Sequence, residues 1–91
     1  MTIEEKRARA AKIMNYGSWA TPDTNLQQCD ELKAKLRELG LRHATSWNPT
    51  TKTFFALVGA AFEGESKLSE GDALLDAVSK IPEVNDENNH A

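Results

Sequence analysis

The fold is decided by residues 41–81, which read LRHATSWNPTTKTFFALVGAAFEGESKLSEGDALLDAVSKI. Residues 41–48 predict a half-buried strand, because Leu41, His43, Thr45 and Trp47 would lie on one face and the residues between them on the other. Residues 48–52, NPTTK, predict a turn, because proline presets the first central dihedral angle and asparagine accepts hydrogen bonds from the backbone that follows. Residues 53–58, TFFALV, predict a second strand, since they are rich in aromatic and β-branched side chains.

The same region also fits a helix. Apolar residues recur at helical spacing from Phe54 to Phe62, so residues 49–63 give an alternative in which the protein is an all-α bundle. Three threonines would crowd the first turn of that helix, and Lys52 would oppose its dipole. We therefore favour the hairpin, with residues 62–68 as a third short strand or a loop.

Two helices are predicted before the hairpin. Thr2 and Glu5 form a capping-box signature for a first helix that runs to about Asn15. Residues 21–23, TPD, predict the start of a second helix, because threonine caps, proline fits the first turn and aspartate complements the dipole. Gly40 is placed to end this second helix in a Schellman motif.

A last helix is predicted from Ser69, a good N-cap, to a stop at Pro82. The fold class is therefore α+β, a single small domain over residues 1–82 in the order helix–helix–β-hairpin–helix. Residues 83–91 are polar and acidic, and we expect them to form a disordered tail.

Composition limits the class of protein. The net charge of −3 conceals a basic part, residues 1–62, and an acidic part, residues 63–91. The lone Cys29 excludes an internal disulfide and favours a reducing compartment, and no signal-peptide or membrane-spanning pattern is present, so we expect a cytoplasmic protein. A homodimer is a further expectation, because a 91-residue chain buries little surface alone.

Residues 53–81, TFFALVGAAFEGESKLSEGDALLDAVSKI, resemble the strand-then-helix end of HicB-like antitoxin domains. The same stretch is similar to the last strands and helix of double-stranded RNA-binding domains, which open their last helix with a lysine cluster that grips phosphates. Here that place holds Lys67 followed by Glu70 and Asp72, so the resemblance implies an arrangement of elements and no RNA-binding function. Small acidic chains of this style are also common among phage and mobile-element accessory proteins and inhibitors.

No pattern of residues predicts catalysis, a cofactor or a metal. Cys29 with His43 as its base would be the simplest nucleophile, but Cys29 lies within an apolar helix stripe, where cysteine behaves as a small hydrophobe. His43 and His90 are the only histidines, and their spacing predicts no metal site. We therefore expect a protein that is not an enzyme and needs no cofactor.

The leading hypothesis is a small interaction or regulatory protein that binds a protein partner. Aromatic residues and arginine are frequent interface anchors, and acidic side chains can form a docking face. The predicted contact residues are Lys6, Arg9, Lys12, Tyr16, Trp19, Glu63, Glu65, Glu70 and Asp72. The alternative is nucleic-acid binding by the basic first helix, in which cations bind phosphate and aromatic residues stack on bases.

Overall fold

The structure is a computed structural model that describes residues 2–17, 20–59 and 61–81. Its elements, in chain order, are α1 (Ile3–Met14), α2 (Leu26–Glu38), β1 (His43–Asn48), β2 (Thr53–Val58), β3 (Phe62–Ser66) and α3 (Glu70–Ser79). The predicted α+β class with the order helix–helix–hairpin–helix is confirmed, and the alternative helix over residues 49–63 is wrong. The predicted tail, residues 83–91, lies outside the described residues, as does Trp19.

The strands form one antiparallel sheet in the order β1-β2-β3. His43 lies opposite Val58 in the first pair, and Phe54 lies opposite Ser66 in the second. The turn between β1 and β2 forms as predicted, because Asn48 Oδ1 accepts hydrogen bonds from the backbone N–H groups of Thr50 and Thr51. Residues 62–66 add the third strand that the sequence left open.

Side chains and backbone groups define three of the helix ends as predicted. At the start of α1, Thr2 Oγ1 accepts from Glu5 N at 3.2 Å while Glu5 Oε1 accepts from Thr2 N at 2.8 Å. At the start of α3, Ser69 Oγ accepts a hydrogen bond from the backbone N–H of Asp72. At the end of α2, Gly40 adopts a φ of 78°, and the residue after it donates to the carbonyl oxygen of Leu36, which completes a Schellman motif.

The start of α2 differs from the prediction. Residues 21–24 form a turn, and the helix begins only at Leu26, with Asn25 as the N-cap that accepts from Gln28 N at 3.0 Å. Asp23 does not face the helix dipole, because its buried carboxylate accepts two hydrogen bonds from the guanidinium of Arg7, at 2.9 and 2.7 Å. A bidentate, charge-assisted contact with α1 therefore replaces the expected local contact with α2.

α2 and α3 pack on one face of the sheet, and α1 packs against these two helices. The buried core includes Met14 of α1, three residues of α2, two of β2 and five of α3, listed as Cys29, Leu32, Leu36, Ala56, Val58, Ala73, Leu74, Leu75, Ala77 and Val78. Alternate residues of a strand point to opposite faces, so Ala56 and Val58 identify the face that the helices cover. No helix in the part of the chain described is long and apolar enough to span a membrane.

A close contact between backbones joins α3 to β3 at Gly64. A Cβ atom built on Gly64 would collide with the carbonyl oxygen of Ala73 and the backbone nitrogen of Ala77. The backbone of α3 therefore lies directly on the strand, at a distance that no other residue at position 64 permits. A glycine inside a strand often marks such a close approach.

We expect Gly64→Ala to lower the free energy of unfolding by about 3 kcal/mol, the upper end of typical overpacking costs, because α3 must move away from the sheet. Gly40→Ala is the matched control, since a Cβ there meets no atom within 4 Å and only the positive φ opposes it. That control should cost about 1 kcal/mol. Urea unfolding followed by circular dichroism measures both, and equal losses would contradict the close contact at Gly64.

Candidate interaction surface

Two of the predicted cationic contact residues hold α1 against α3. Lys6 Nζ lies 2.8 Å from Asp76 Oδ1. Arg9 Nη1 donates to the carbonyl oxygens of Ser79 and Ile81, at 3.1 and 2.9 Å, just where α3 ends. A cation at this position also complements the negative end of the helix dipole. The structure thus brings Lys6 and Arg9 into contacts between helices rather than onto an open basic face.

The other predicted contact residues near the N-terminus are more dispersed. The hydroxyl of Tyr16 donates to the carboxylate of Glu31, and its half-buried ring packs against the core. The hydrogen bond to Glu31, together with burial, raises the pKa of Tyr16. Lys12 is exposed near the end of α1. Within the described residues, the hydroxyl of Tyr16 is thus directed to α2 rather than to the cations of α1.

Glu70 and Asp72 lie in the first turn of α3 and contact neighbouring elements. The Glu70 carboxylate forms an ion pair with Lys33 of α2, and this hydrogen bond lowers the pKa of Glu70 despite partial burial. Asp72 Oδ2 accepts a hydrogen bond from Ser66 Oγ of β3 at 2.6 Å. Both predicted contact residues thus connect α3 to its neighbours.

Asp76 joins three elements at the β3 edge of the sheet. Its Oδ1 pairs with Lys6 of α1, and its Oδ2 accepts a hydrogen bond from the backbone N–H of Glu65 at 3.3 Å. Lys80 lies 3.5 Å from the same Oδ2 and also donates to the carbonyl oxygen of Glu63 at 2.6 Å. Burial raises the pKa of Asp76, but the contacts with Lys6, Glu65 and Lys80 outweigh it and hold that pKa below its ordinary value.

The side of the sheet that faces away from the helices is called the outer face here. It carries Ala44 and Ser46 from β1, Phe55 and Leu57 from β2, and Glu63 and Glu65 from β3. Phe55 lies between Ser46 and Glu65, and Leu57 lies between Ala44 and Glu63. Both apolar side chains are half-buried, and neither belongs to the core cluster. The outer face is thus an apolar stripe with small side chains on one flank and two carboxylates on the other.

Phe55 and Leu57 are not among the contact residues predicted from the sequence, which placed them only in a strand. The signal that could have found them is the composition of β2, TFFALV, which is apolar on both faces. A strand of this kind is expected where both faces are covered, or where one face is available to a partner. Glu63 and Glu65 were predicted as contact residues, and the structure places them beside this stripe.

Other apolar side chains are exposed where β1 ends and where α2 begins. Trp47 is 49% exposed, with its ring centroid 4.8 Å from that of Phe54 on the helix-covered side. Leu26 is 84% exposed and lines a cavity of about 120 Å³ between the starts of α2 and α3. Cys29 also lines this cavity but is buried, and burial raises the pKa of its thiol. Within the described ranges, no group of three potential ligand residues could hold a metal ion.

Comparisons with family models, with curated proteins and with solved structures give no match for this chain.

The contacts of Asp76 predict a specific acid dependence of stability. A carboxyl group whose pKa is lower in the folded protein stabilises it above the unfolded-state pKa, and this contribution is lost as the pH falls through the folded-state pKa. We expect Asp76→Asn to lower the free energy of unfolding by about 1–2 kcal/mol near pH 7, and we expect this difference from wild type to shrink as the pH falls below about 4, the ordinary pKa of aspartate.

Urea unfolding at a series of pH values tests this expectation. Glu38→Gln is the control, because the Glu38 carboxylate pairs with Lys35 only at 3.5 Å on the surface and such pairs contribute about 0.5 kcal/mol or less. A constant difference between wild type and Asp76→Asn across the pH range would show that the Asp76 carboxylate is not stabilised by its neighbours.

Proposed function

We propose that this chain is a small, non-enzymatic regulatory protein that binds another protein through the outer face of its sheet. The observation that carries the proposal is the position of Phe55 and Leu57. They lie in the central strand, on the face opposite the helices, and outside the core. Both side chains are only half-buried in the single chain, so a partner that covers them would bury further apolar area and stabilise the complex.

The flanks of the stripe indicate the chemistry of the partner. Glu63 and Glu65 lie directly across from Leu57 and Phe55, and neither carboxylate forms an ion pair within the ranges that the structure describes. Their backbone groups are held by Asp76 and Lys80, which fixes the strand beneath them. A complementary partner presents apolar side chains beside lysine or arginine, since charge complementarity selects partners and raises association rates.

We expect the partner segment to lie along the strands, because the outer face is a surface of neighbouring strands and not a pocket. Ala44 and Ser46 are small and exposed, so the surface is open on the β1 flank and acidic on the β3 flank. An amphipathic segment with its cationic side toward β3 would therefore cover Phe55 and Leu57 and meet both carboxylates. Binding of this kind supports a regulatory or inhibitory role, because it needs no reacting groups.

Affinity capture from host lysate followed by mass spectrometry tests the proposal when the outer face is varied. Phe55→Thr/Leu57→Thr removes the apolar stripe while keeping residues that favour strands. Glu63→Lys/Glu65→Lys reverses the acidic flank. We expect wild type to capture a basic protein and each double variant to lose at least about tenfold of it, a change of about 1.4 kcal/mol.

The matched control is Asp30→Lys/Glu38→Lys, which makes the same change in net charge at exposed positions of α2. This variant should capture the same protein as wild type. Capture that survives the loss of Phe55 and Leu57, or that the α2 control weakens equally, would contradict binding through the outer face. Circular dichroism confirms that every variant retains its fold before capture is compared.

The alternative of nucleic-acid binding has less support. Lys6 and Arg7 of α1 form ion pairs with Asp76 and Asp23, and Arg9 donates to carbonyl oxygens at the end of α3, so these cations are already engaged within the protein. We therefore expect no retardation of duplex DNA or of RNA in a mobility-shift assay at about 50 mM salt, where electrostatic binding is strong. Retardation that disappears as salt is added would contradict this expectation and restore the basic helix as a binding site.

A further inference from the structure

The two edges of the sheet are not equivalent. On the outward side of β3, the backbone N–H of Glu65 donates to Asp76 and the carbonyl oxygen of Glu63 accepts from Lys80. The side chains of Asp76 and Lys80 therefore occupy two of the groups through which another strand would pair with β3. Natural sheets commonly protect their edges in this way.

The edge formed by β1 has no such protection. Gly59 N donates to the carbonyl oxygen of Arg42, so residues 42 and 59 form a hydrogen-bonded pair. Such pairs alternate along an antiparallel ladder, so the next hydrogen-bonded residues of β1 are Ala44 and Ser46. The backbone groups of His43, Thr45 and Trp47 therefore point away from β2. Across the ranges 2–17, 20–59 and 61–81, none of these outward N–H and C=O groups has a hydrogen-bond partner. The strand also lacks lysine, arginine, aspartate, glutamate and proline.

We propose that β1 pairs antiparallel with β1 of a second copy of this chain, so that two three-stranded sheets form one six-stranded sheet. This inference goes beyond the proposed function and does not depend on it.

The geometry of the strand favours a second copy as the occupant. A two-fold axis at Thr45 places Thr45 opposite the same residue of the second chain and His43 opposite the partner's Trp47. The free backbone groups of all three residues in each strand therefore meet free backbone groups of the other strand. Six backbone hydrogen bonds follow from this register. Shifting the register in either direction loses a pair, and Pro49 offers no N–H to extend it.

Charge and exposure also fit self-association. Two chains of net charge −3 repel each other in general, but the strands that meet here carry no carboxylate. Burial, with Arg37 and Lys33 nearby, lowers the pKa of His43, which keeps the strand uncharged at neutral pH. Trp47, 49% exposed in one chain, would gain contact with the partner near His43. Only two identical strands can be related by a two-fold axis, so an extended segment of another protein would lack the register that symmetry sets.

The pairing predicts which side chains face each other across the dimer. In this register Ala44 lies opposite Ser46 of the second chain, in a non-hydrogen-bonded pair whose Cα atoms are about 4.5 Å apart. Both residues are exposed on the outer face, and neither belongs to the core cluster. Charges introduced at these two positions therefore test the register while leaving the core unchanged, and like charges directly opposite each other are destabilising.

Sedimentation equilibrium of the purified full chain, from about 10 to 500 µM, covers the range expected for an interface below standard size. We expect wild type to dimerise in this range. Ala44→Glu/Ser46→Glu and Ala44→Lys/Ser46→Lys should each be monomeric, with association weakened at least about tenfold. An equimolar mixture of the two should dimerise, and so should Ala44→Lys/Ser46→Glu alone, because opposite charges then face each other.

Residue-resolved hydrogen exchange gives a second measurement. The amide protons of His43, Thr45 and Trp47 should exchange at least about tenfold more slowly at high protein concentration than at low concentration. The amide protons of Ala44 and Ser46 already pair with β2 and should not change. A wild type that stays monomeric at about 500 µM overturns the proposal. Dimers that persist in both like-charged variants also overturn it, because they would place the interface elsewhere.

Discussion

The direct contact between α3 and the backbone of Gly64 sets the arrangement of the domain. Because no side chain separates the helix from β3, Asp76 and Lys80 are close enough to bond the backbone of Glu65 and Glu63. Asp76 also forms an ion pair with Lys6, and Arg9 donates a hydrogen bond to the carbonyl oxygen of Ser79 at the end of α3. Two cations of α1 therefore hold that helix on α3. The position of α1 therefore follows from that of α3, and both follow from a glycine in the middle of a strand.

Most of the fold could be predicted from patterns in the sequence. Local signals predicted the capping box at Thr2, the Schellman motif at Gly40 and the turn after Asn48, because each depends on residues within about five positions of one another. The start of α2 was misplaced for the opposite reason. The carboxylate of Asp23 accepts hydrogen bonds from Arg7, sixteen residues earlier in the chain, and no local sequence pattern predicts such a distant partner.

The candidate site was harder to predict, for a related reason. Lys6 and Arg9 look like a basic face only while their partners, Asp76 and the carbonyl oxygens of Ser79 and Ile81, are unknown. These partners lie some seventy residues away in the chain. Glu63 and Glu65 are visible as acids in the sequence, but their place beside Phe55 and Leu57 depends on the pairing of β2 with β3. Trp19 stays a predicted contact residue outside the described part of the chain.

The uneven charge of the sequence has a physical explanation in this arrangement. Lys6 of α1 pairs with Asp76 of α3, Arg7 pairs with Asp23, and Arg9 donates to the carbonyl oxygens at the end of α3, so cations of the basic part contact other parts of the domain. The carboxylates left without a cation in the described residues include Glu63 and Glu65, on the strand whose edge is already closed. The uncharged strand β1 lies at the opposite edge, where the backbone is open. Association between copies at β1 would thus keep the acidic flanks at the two outer ends of a continuous sheet. Both apolar stripes would remain on the same uncovered face, so dimerisation would use the β1 edge and partner binding the outer face of the same sheet.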